Sequence, residues 1–261
     1  MKEEKEKIPF GVAEWGVSKN LIRGCKNNCC YCYSKSLSIR YKRNAPEDWE
    51  NEQVNFKQLK KKFKKENNVI MFPSTHDLSP ENLEYNLQFL GNLLESGNNV
   101  LIVSKAHLSV IESICEQFKD FKSQILFRIT IGSMDNNTLK LWEPGAPDYN
   151  ERKAALQHAY NLGFETSVSA EPYLDENVFD LVNDLSEFVS ETLWIGKINY
   201  PLNRLKLNGV TDPIVLQKAN DLIQIQSDEN VLKLYYQLKD NPKIRWKESI
   251  KKVLIKNQIA Y

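Results

Sequence analysis

Four of the chain's five cysteines fall in one short stretch, Gly24-Cys25-Lys26-Asn27-Asn28-Cys29-Cys30-Tyr31-Cys32-Tyr33. Cys25, Cys29 and Cys32 give C-x-x-x-C-x-x-C, three thiolates on one tight loop. Three soft ligands so close together suit an iron–sulfur cluster. Four cysteines close such a cluster, whereas three leave one iron open to a small chelating molecule, and chemistry could occur at that iron. Zinc also takes clustered thiolates, but it usually draws on two separated pairs, and this chain has no second pair. Cys30 could replace Cys29, yet adjacent side chains rarely point at one metal, so it reads as a small apolar bystander. Cys115 lies in a helical pattern with Val110, Ile111, Ile114 and Phe118 and reads as core. No fourth ligand is evident.

This spacing, with the aromatic Tyr31 just before the last cysteine, resembles the hallmark of the radical S-adenosylmethionine (SAM) superfamily. The resemblance implies a [4Fe–4S] cluster on Cys25, Cys29 and Cys32. Its open iron would bind the amino and carboxylate groups of SAM, and one electron would cleave the sulfonium to a 5′-deoxyadenosyl radical. A reductant such as a flavodoxin or ferredoxin would supply that electron. Within the superfamily the chain resembles the branch that contains spore photoproduct lyase and its uncharacterised relatives, and Glu143-Pro144-Gly145-Ala146-Pro147 is the second stretch that carries this likeness. By resemblance, Tyr31 packs near the adenine, and Ser74, Thr75 and Asp77 replace the more common Gly-Gly-Glu that binds the methionine amino group. Lys105, after Ser104, contacts the cofactor carboxylate, while Glu171 and Asn199 complete the cradle. The lyase uses an additional cysteine as hydrogen donor, and neither Cys30 nor Cys115 is a convincing counterpart. The substrate is therefore left open among nucleic acid, peptide and small metabolite. A non-catalytic iron–sulfur or zinc binding module is the alternative from a different class.

The elements that must position these residues follow from the hydrophobic pattern. Short apolar runs at Lys19–Gly24, Val69–Phe72, Asn99–Val103, Gln124–Ile131, Phe164–Ala170 and Thr192–Ile195 alternate with helical patterns. This is the signature of parallel βα units and predicts an α/β fold, an incomplete (β/α)6 TIM-like barrel with polar residues gathered at the carboxyl ends of its strands. Helices are expected over Ser34–Arg43, Asn51–Lys65, Glu81–Ser96, around Cys115, Tyr149–Leu162, 177–189, Asp212–Gln226, Asp228–Leu238 and Trp246–Ile255. One domain should span 1–261, with a lead-in at 1–18, the partial barrel at 19–200 and a helical C-terminal cover at 201–261.

Other residues have competing readings. Glu143 reads as a salt-bridge partner, with ribose binding as the alternative, and Asp77 could simply cap the next helix. Arg128 and Thr130 should project into the barrel, Gly196 should admit close backbone approach to adenine, and Lys197 and His107 are weaker site candidates. Lys35, Arg40, Lys42 and Arg43 read as a solvated face, with a phosphate contact as the alternative. Lys57, Lys60, Lys61, Lys62, Lys64 and Lys65 form a local basic patch that could meet a polyanion. The whole chain has 35 basic and 34 acidic residues, so no global field recruits nucleic acid. A charged amino terminus, the lack of any apolar run near the roughly 20 residues of a membrane span, and thiols clustered without a disulfide framework point to a cytoplasmic protein.

Overall fold

The structure is a computed structural model and describes residues 16–259. In chain order the strands are β1 (Val17–Ser18), β2 (Ile22–Arg23), β3 (Gln53–Val54), β4 (Ile70–Phe72), β5 (Val100–Ser104), β6 (Ile125–Thr130), β7 (Glu165–Ala170), β8 (Leu193–Ile195) and β9 (Ile244–Trp246). The helices are α1 (Tyr33–Arg40), α2 (Phe56–Leu59), α3 (Leu83–Glu95), α4 (Leu108–Gln117), α5 (Asn136–Trp142), α6 (Tyr149–Asn161), α7 (Val178–Leu185), α8 (Pro201–Leu207), α9 (Pro213–Ile225), α10 (Asp228–Leu238) and α11 (Glu248–Lys256).

Seven strands form one parallel sheet in the order β1-β4-β5-β6-β7-β8-β9, while β2 and β3 pair antiparallel outside it. This is the open α/β barrel that the alternation of runs predicts. Helices cover its outer face, so central strands such as Val100-Leu101-Ile102-Val103-Ser104 read as continuous apolar runs. Phe72, Ile102, Phe127, Ile129 and Ile195 are fully buried, and α4 turns Val110, Ile111, Ile114 and Cys115 into the same core.

The structure corrects four expectations. The first barrel strand is Val17–Ser18, in register with Ile70–Met71, rather than Lys19–Gly24. The chain leaves the sheet there, and Ile22–Arg23 pairs instead with Val54–Gln53. The helix expected over Asn51–Lys65 is only α2, begun by the Asn55 side chain accepting from the Gln58 N–H. Lysines at 57, 60, 61, 62, 64 and 65 place like charges three and four residues apart, which disfavours its continuation. A seventh strand, β9, lies beside β8 within the segment read as helical cover, so the sheet runs past residue 200. Helices α5 and α8, each only seven residues long, are too short to show a helical period in the sequence. Of the lead-in at 1–18, residues 1–15 lie outside the described residues.

Candidate functional site

The cysteine loop is shaped by what passes over it. Gly24 adopts φ +92°, and a Cβ there would sit 2.7 Å from the Trp49 carbonyl, the same carbonyl that accepts the Cys25 N–H at 2.8 Å. On the other side the Cys30 N–H donates to Trp142 O at 2.8 Å and the Gly145 N–H to Asn27 O at 3.1 Å. A Cβ on Gly145 would lie 2.1 Å from Lys26 O, so the Glu-Pro-Gly-Ala-Pro stretch is the brace against which the loop folds. The loop ends in α1, with the Cys32 sulfur accepting the Lys35 N–H as its N-cap.

This arrangement brings Cys25, Cys29, Cys32, Tyr31, Ser74, Thr75, Asp77, Lys105, Glu171 and Asn199 to the wall of one cavity of about 480 Å³ at the carboxyl ends of the parallel strands. Such a volume lies within the usual range for small-molecule and cofactor pockets. Cys30 is turned away from the other three, its thiol donating to the Leu141 carbonyl at 3.4 Å. Cys115 is buried in α4. Among the described residues no three His, Cys, Asp or Glu side chains converge as ligands of a single ion. Three thiols on one cavity wall are soft ligands of the kind an iron–sulfur cluster takes. Burial pushes the thiols of Cys25, Cys29 and Cys32 up, so their ionised forms need positive charge beside them. Lys105 supplies part of it at Cys29.

A family model described as the radical SAM superfamily matches residues 19–186. The chain belongs to the radical SAM superfamily. Among solved structures it is similar to spore photoproduct lyase complexed with dinucleoside spore photoproduct, with TM-score 0.57 and 14% identity over 87% of this chain and 74% of that one. It is also similar to SuiB of Streptococcus suis bound to its precursor peptide SuiA, with TM-score 0.52 and 15% identity over 94% and 52%. At these identities the likeness is one of fold. A curated relative, the uncharacterized protein ORF301 of Acidianus two-tailed virus, is 23% identical over 195 residues, 69% of this chain. The chain spans only 64% of that relative's length.

In this radical SAM fold Glu143 is the salt-bridge partner its reading predicts, while Asp77 and Gly196 have neighbours the sequence did not show. Both oxygens of Asp77 are engaged: they accept from Asn27 Nδ2, the Leu78 N–H, Ser104 Oγ and the Lys105 N–H. Asp77 therefore clamps the cysteine loop to the end of β5 as well as meeting the backbone N–H of the next residue. Glu143 does not line the cavity. Buried behind it, Glu143 accepts from the Tyr31 hydroxyl and faces Arg152 at 2.6 Å and Lys105 at 3.7 Å. Burial opposes its charge, but Arg152 and Lys105 hold its carboxyl below the usual range. Burial likewise works against the Lys105 ammonium, yet the carboxylates of Glu143 and Asp77 are among the groups that raise its pKa all the same. Gly196 makes room for protein rather than leaving open space: a Cβ there would lie 2.8 Å from Glu171 and 2.9 Å from Lys247. His107 is not in the cavity and pairs with Glu151 at 3.3 Å. Arg128 and Thr130 do line it, as does Lys197.

Four contributors went unnoticed in the sequence. Asn20 Oδ1 accepts the N–H groups of Ser74 and Thr75, fixing the loop after β4. Asn208 donates from Nδ2 to the carbonyls of Cys30 and Cys32. Lys247, one residue past β9, pairs with Glu171 at 3.3 Å, and Arg204 of α8 lines the cavity. An Asn-Gly pair at 208–209 signals only a turn, and β9 had to be seen before Lys247 could be placed.

The lysine run does not reach this cavity. Lys64 O and the Glu66 N–H bond the Asn98 side chain, which precedes β5 at the amino end of the sheet, whereas the cavity opens at the carboxyl end. Among the described residues no helix is long and apolar enough to cross a membrane.

Proposed function

We propose that this chain is a radical SAM enzyme that holds a [4Fe–4S] cluster on Cys25, Cys29 and Cys32, binds SAM in the adjoining cavity and abstracts hydrogen from a substrate admitted at its open side. One observation carries the reading: three cysteines of a single loop share a cavity wall with Ser74, Thr75, Asp77, Lys105, Glu171 and Asn199, while the fourth cysteine of the loop faces Leu141. When bound, the cluster and SAM supply a 5′-deoxyadenosyl radical after one-electron reduction.

The chain's own residues bind, orient and shield. Lys105, kept protonated by the anions around it, offers its ammonium to the methionine carboxylate. Ser74 and Thr75 present polar groups on a loop held by Asn20, and Asp77 orients the cysteine loop against β5. Glu171, steadied by Lys247, is placed to accept from ribose hydroxyls, with Asn199 beside it on the wall. Tyr31, Met71, Val103 and Ile198 line the same cavity and keep water from a reactive intermediate. The electron would come from a flavodoxin or ferredoxin in the cytoplasm.

The test uses full-length protein, reconstituted anaerobically with iron and sulfide. Cys25→Ala, Cys29→Ala and Cys32→Ala should each abolish the broad visible absorbance, and Cys30→Ala should retain it. Dithionite and SAM should then yield 5′-deoxyadenosine. Zinc in anaerobically purified protein, or no 5′-deoxyadenosine from protein with a full complement of iron, would overturn the proposal.

A further inference from the structure

Arg204 is half-buried at the cavity wall, and its guanidinium makes no hydrogen bond or ion pair with any described residue. Glu171, a carboxylate close enough to act on it, is taken by Lys247 at 3.3 Å. Cys32 also acts on it from the cysteine loop, and a half-buried guanidinium held by no hydrogen bond can form a charge-assisted contact with an anionic partner. Two phenols act on the same group. Tyr33 lines the cavity at 44% exposure, and Tyr200 is 75% exposed in the left-handed region at φ +54°.

The surface leading away from Arg204 has the same character. Helix α8 packs on α1, and on α1 and just beyond it Tyr33, Leu37 and Tyr41 recur at every fourth residue, all exposed. Of the basic residues at 33–43, Arg40, Lys42 and Arg43 are exposed, whereas Lys35, expected on a solvated face, is buried with its ammonium on Asn28 Oδ1; the stretch has no acidic residue. Arg43 lies over the Tyr41 ring at 5.4 Å. Exposed rings interleaved with cations form the platform on which single-stranded nucleic acid stacks its bases and sets its phosphates. An acidic peptide would satisfy the charges but leave the exposed tyrosines unused.

We propose that the face formed by α1 and α8 binds a single-stranded polynucleotide, with Arg204 taking a phosphate at the cavity mouth and Tyr33, Tyr41 and Tyr200 stacking bases. This names the substrate class for the site of the proposed function and rests on that reading. It also moves the nucleic-acid contact away from the lysine run.

The experiment measures binding, so it needs no turnover. A fluorescein-labelled oligothymidylate is titrated with full-length protein at low and moderate salt. The expectation is salt-dependent binding, weakened about tenfold or more by Arg204→Gln and severalfold by Tyr41→Ala, about the loss of one charge-assisted contact and of one stacked base. Lys61→Gln with Lys62→Gln should leave affinity within twofold, and unchanged circular dichroism would show each variant folded. Unchanged affinity in Arg204→Gln, a loss confined to the lysine-run variants, or equal affinity for a mononucleotide would overturn the proposal. Loss of the cluster in Cys25→Ala with oligonucleotide affinity intact would separate this result from that of the cofactor assignment.

Discussion

The Tyr31 hydroxyl donates to the Glu143 carboxylate, joining the cysteine loop to the turn after α5 across 112 residues of sequence. Glu143 is fully buried and also faces Arg152 and Lys105, so one carboxylate balances two cations and anchors the ring beside the cysteine loop.

Glu143→Gln keeps the shape and removes the charge. It leaves two largely buried cations under-compensated, which costs about 3 kcal/mol or more. The urea midpoint should fall accordingly. Arg152→Met in the Glu143→Gln background should recover part of the loss, because the variant no longer buries that unpaired charge. A midpoint within experimental error of wild type would refute the charge balance described for this turn.

Gly145→Ala tests the brace from the other direction. The new methyl would meet Lys26 O at 2.1 Å, so the loop or the turn must shift. Overpacking of this kind costs about 1–3 kcal/mol. Because the displaced backbone belongs to the residue after Cys25, iron bound per chain after reconstitution should fall more than the urea midpoint does. Equal iron content in variant and wild type would show that the loop can relax without moving its sulfurs.

The barrel was legible because a parallel sheet covered by helices needs apolar runs at regular intervals, and β4 to β8 carry them within one or two residues of their observed ends. Val17–Ser18 was not legible because two residues carry no period, and Ile244–Trp246 was not because Lys243, Arg245 and Lys247 break up its apolar residues; both owe their strand state to the neighbours that pair with them. The wall residues were readable at strand ends, where polar side chains after an apolar run need a reason. Asn20 and Asn208 were not, because each acts on a loop remote in sequence, and Arg204 reaches the cavity from a helix beyond the predicted barrel; an asparagine or arginine in isolation reads as turn or surface. Helical spacing in 51–65 misled because apolar periodicity ignores the mutual repulsion of six lysines.

His76 gives stability a pH dependence of defined sign. Its Nε2 accepts from the Leu21 N–H at 3.1 Å, so the proton sits on Nδ1, which donates to Asp77 O at 2.8 Å. Burial drives its pKa down from 6.5 to about 4. Below about 6.5 the unfolded chain takes up a proton that the folded chain refuses until about 4. Stability contributed by the neutral ring is thus complete above 6.5 and declines as pH falls through this window, by about 3 kcal/mol in all. Urea unfolding free energies between pH 7 and 4 should show that slope, and His76→Gln should flatten it at the cost of a lower value at pH 7. A slope unchanged in His76→Gln would assign the dependence to other groups.

Asn208 supports the cysteine loop through its main chain, since Nδ2 reaches the carbonyls of Cys30 and Cys32 while Oδ1 accepts from Ser36 Oγ at 2.8 Å. Cys32 O retains the Ser36 N–H as a donor, so removing the amide strands chiefly the Cys30 carbonyl. Asn208→Ala should cost about 1–3 kcal/mol, the usual penalty for a buried acceptor left without its partner. Asn208→Asp is the sharper test, because it keeps the volume but sets a carboxylate oxygen against two carbonyls. The aspartate variant should therefore be the less stable at pH 7, and the difference should narrow as acid protonates the new carboxyl. If alanine and aspartate variants share one urea midpoint at pH 7, the two donated bonds contribute nothing and α8 holds the loop by packing alone.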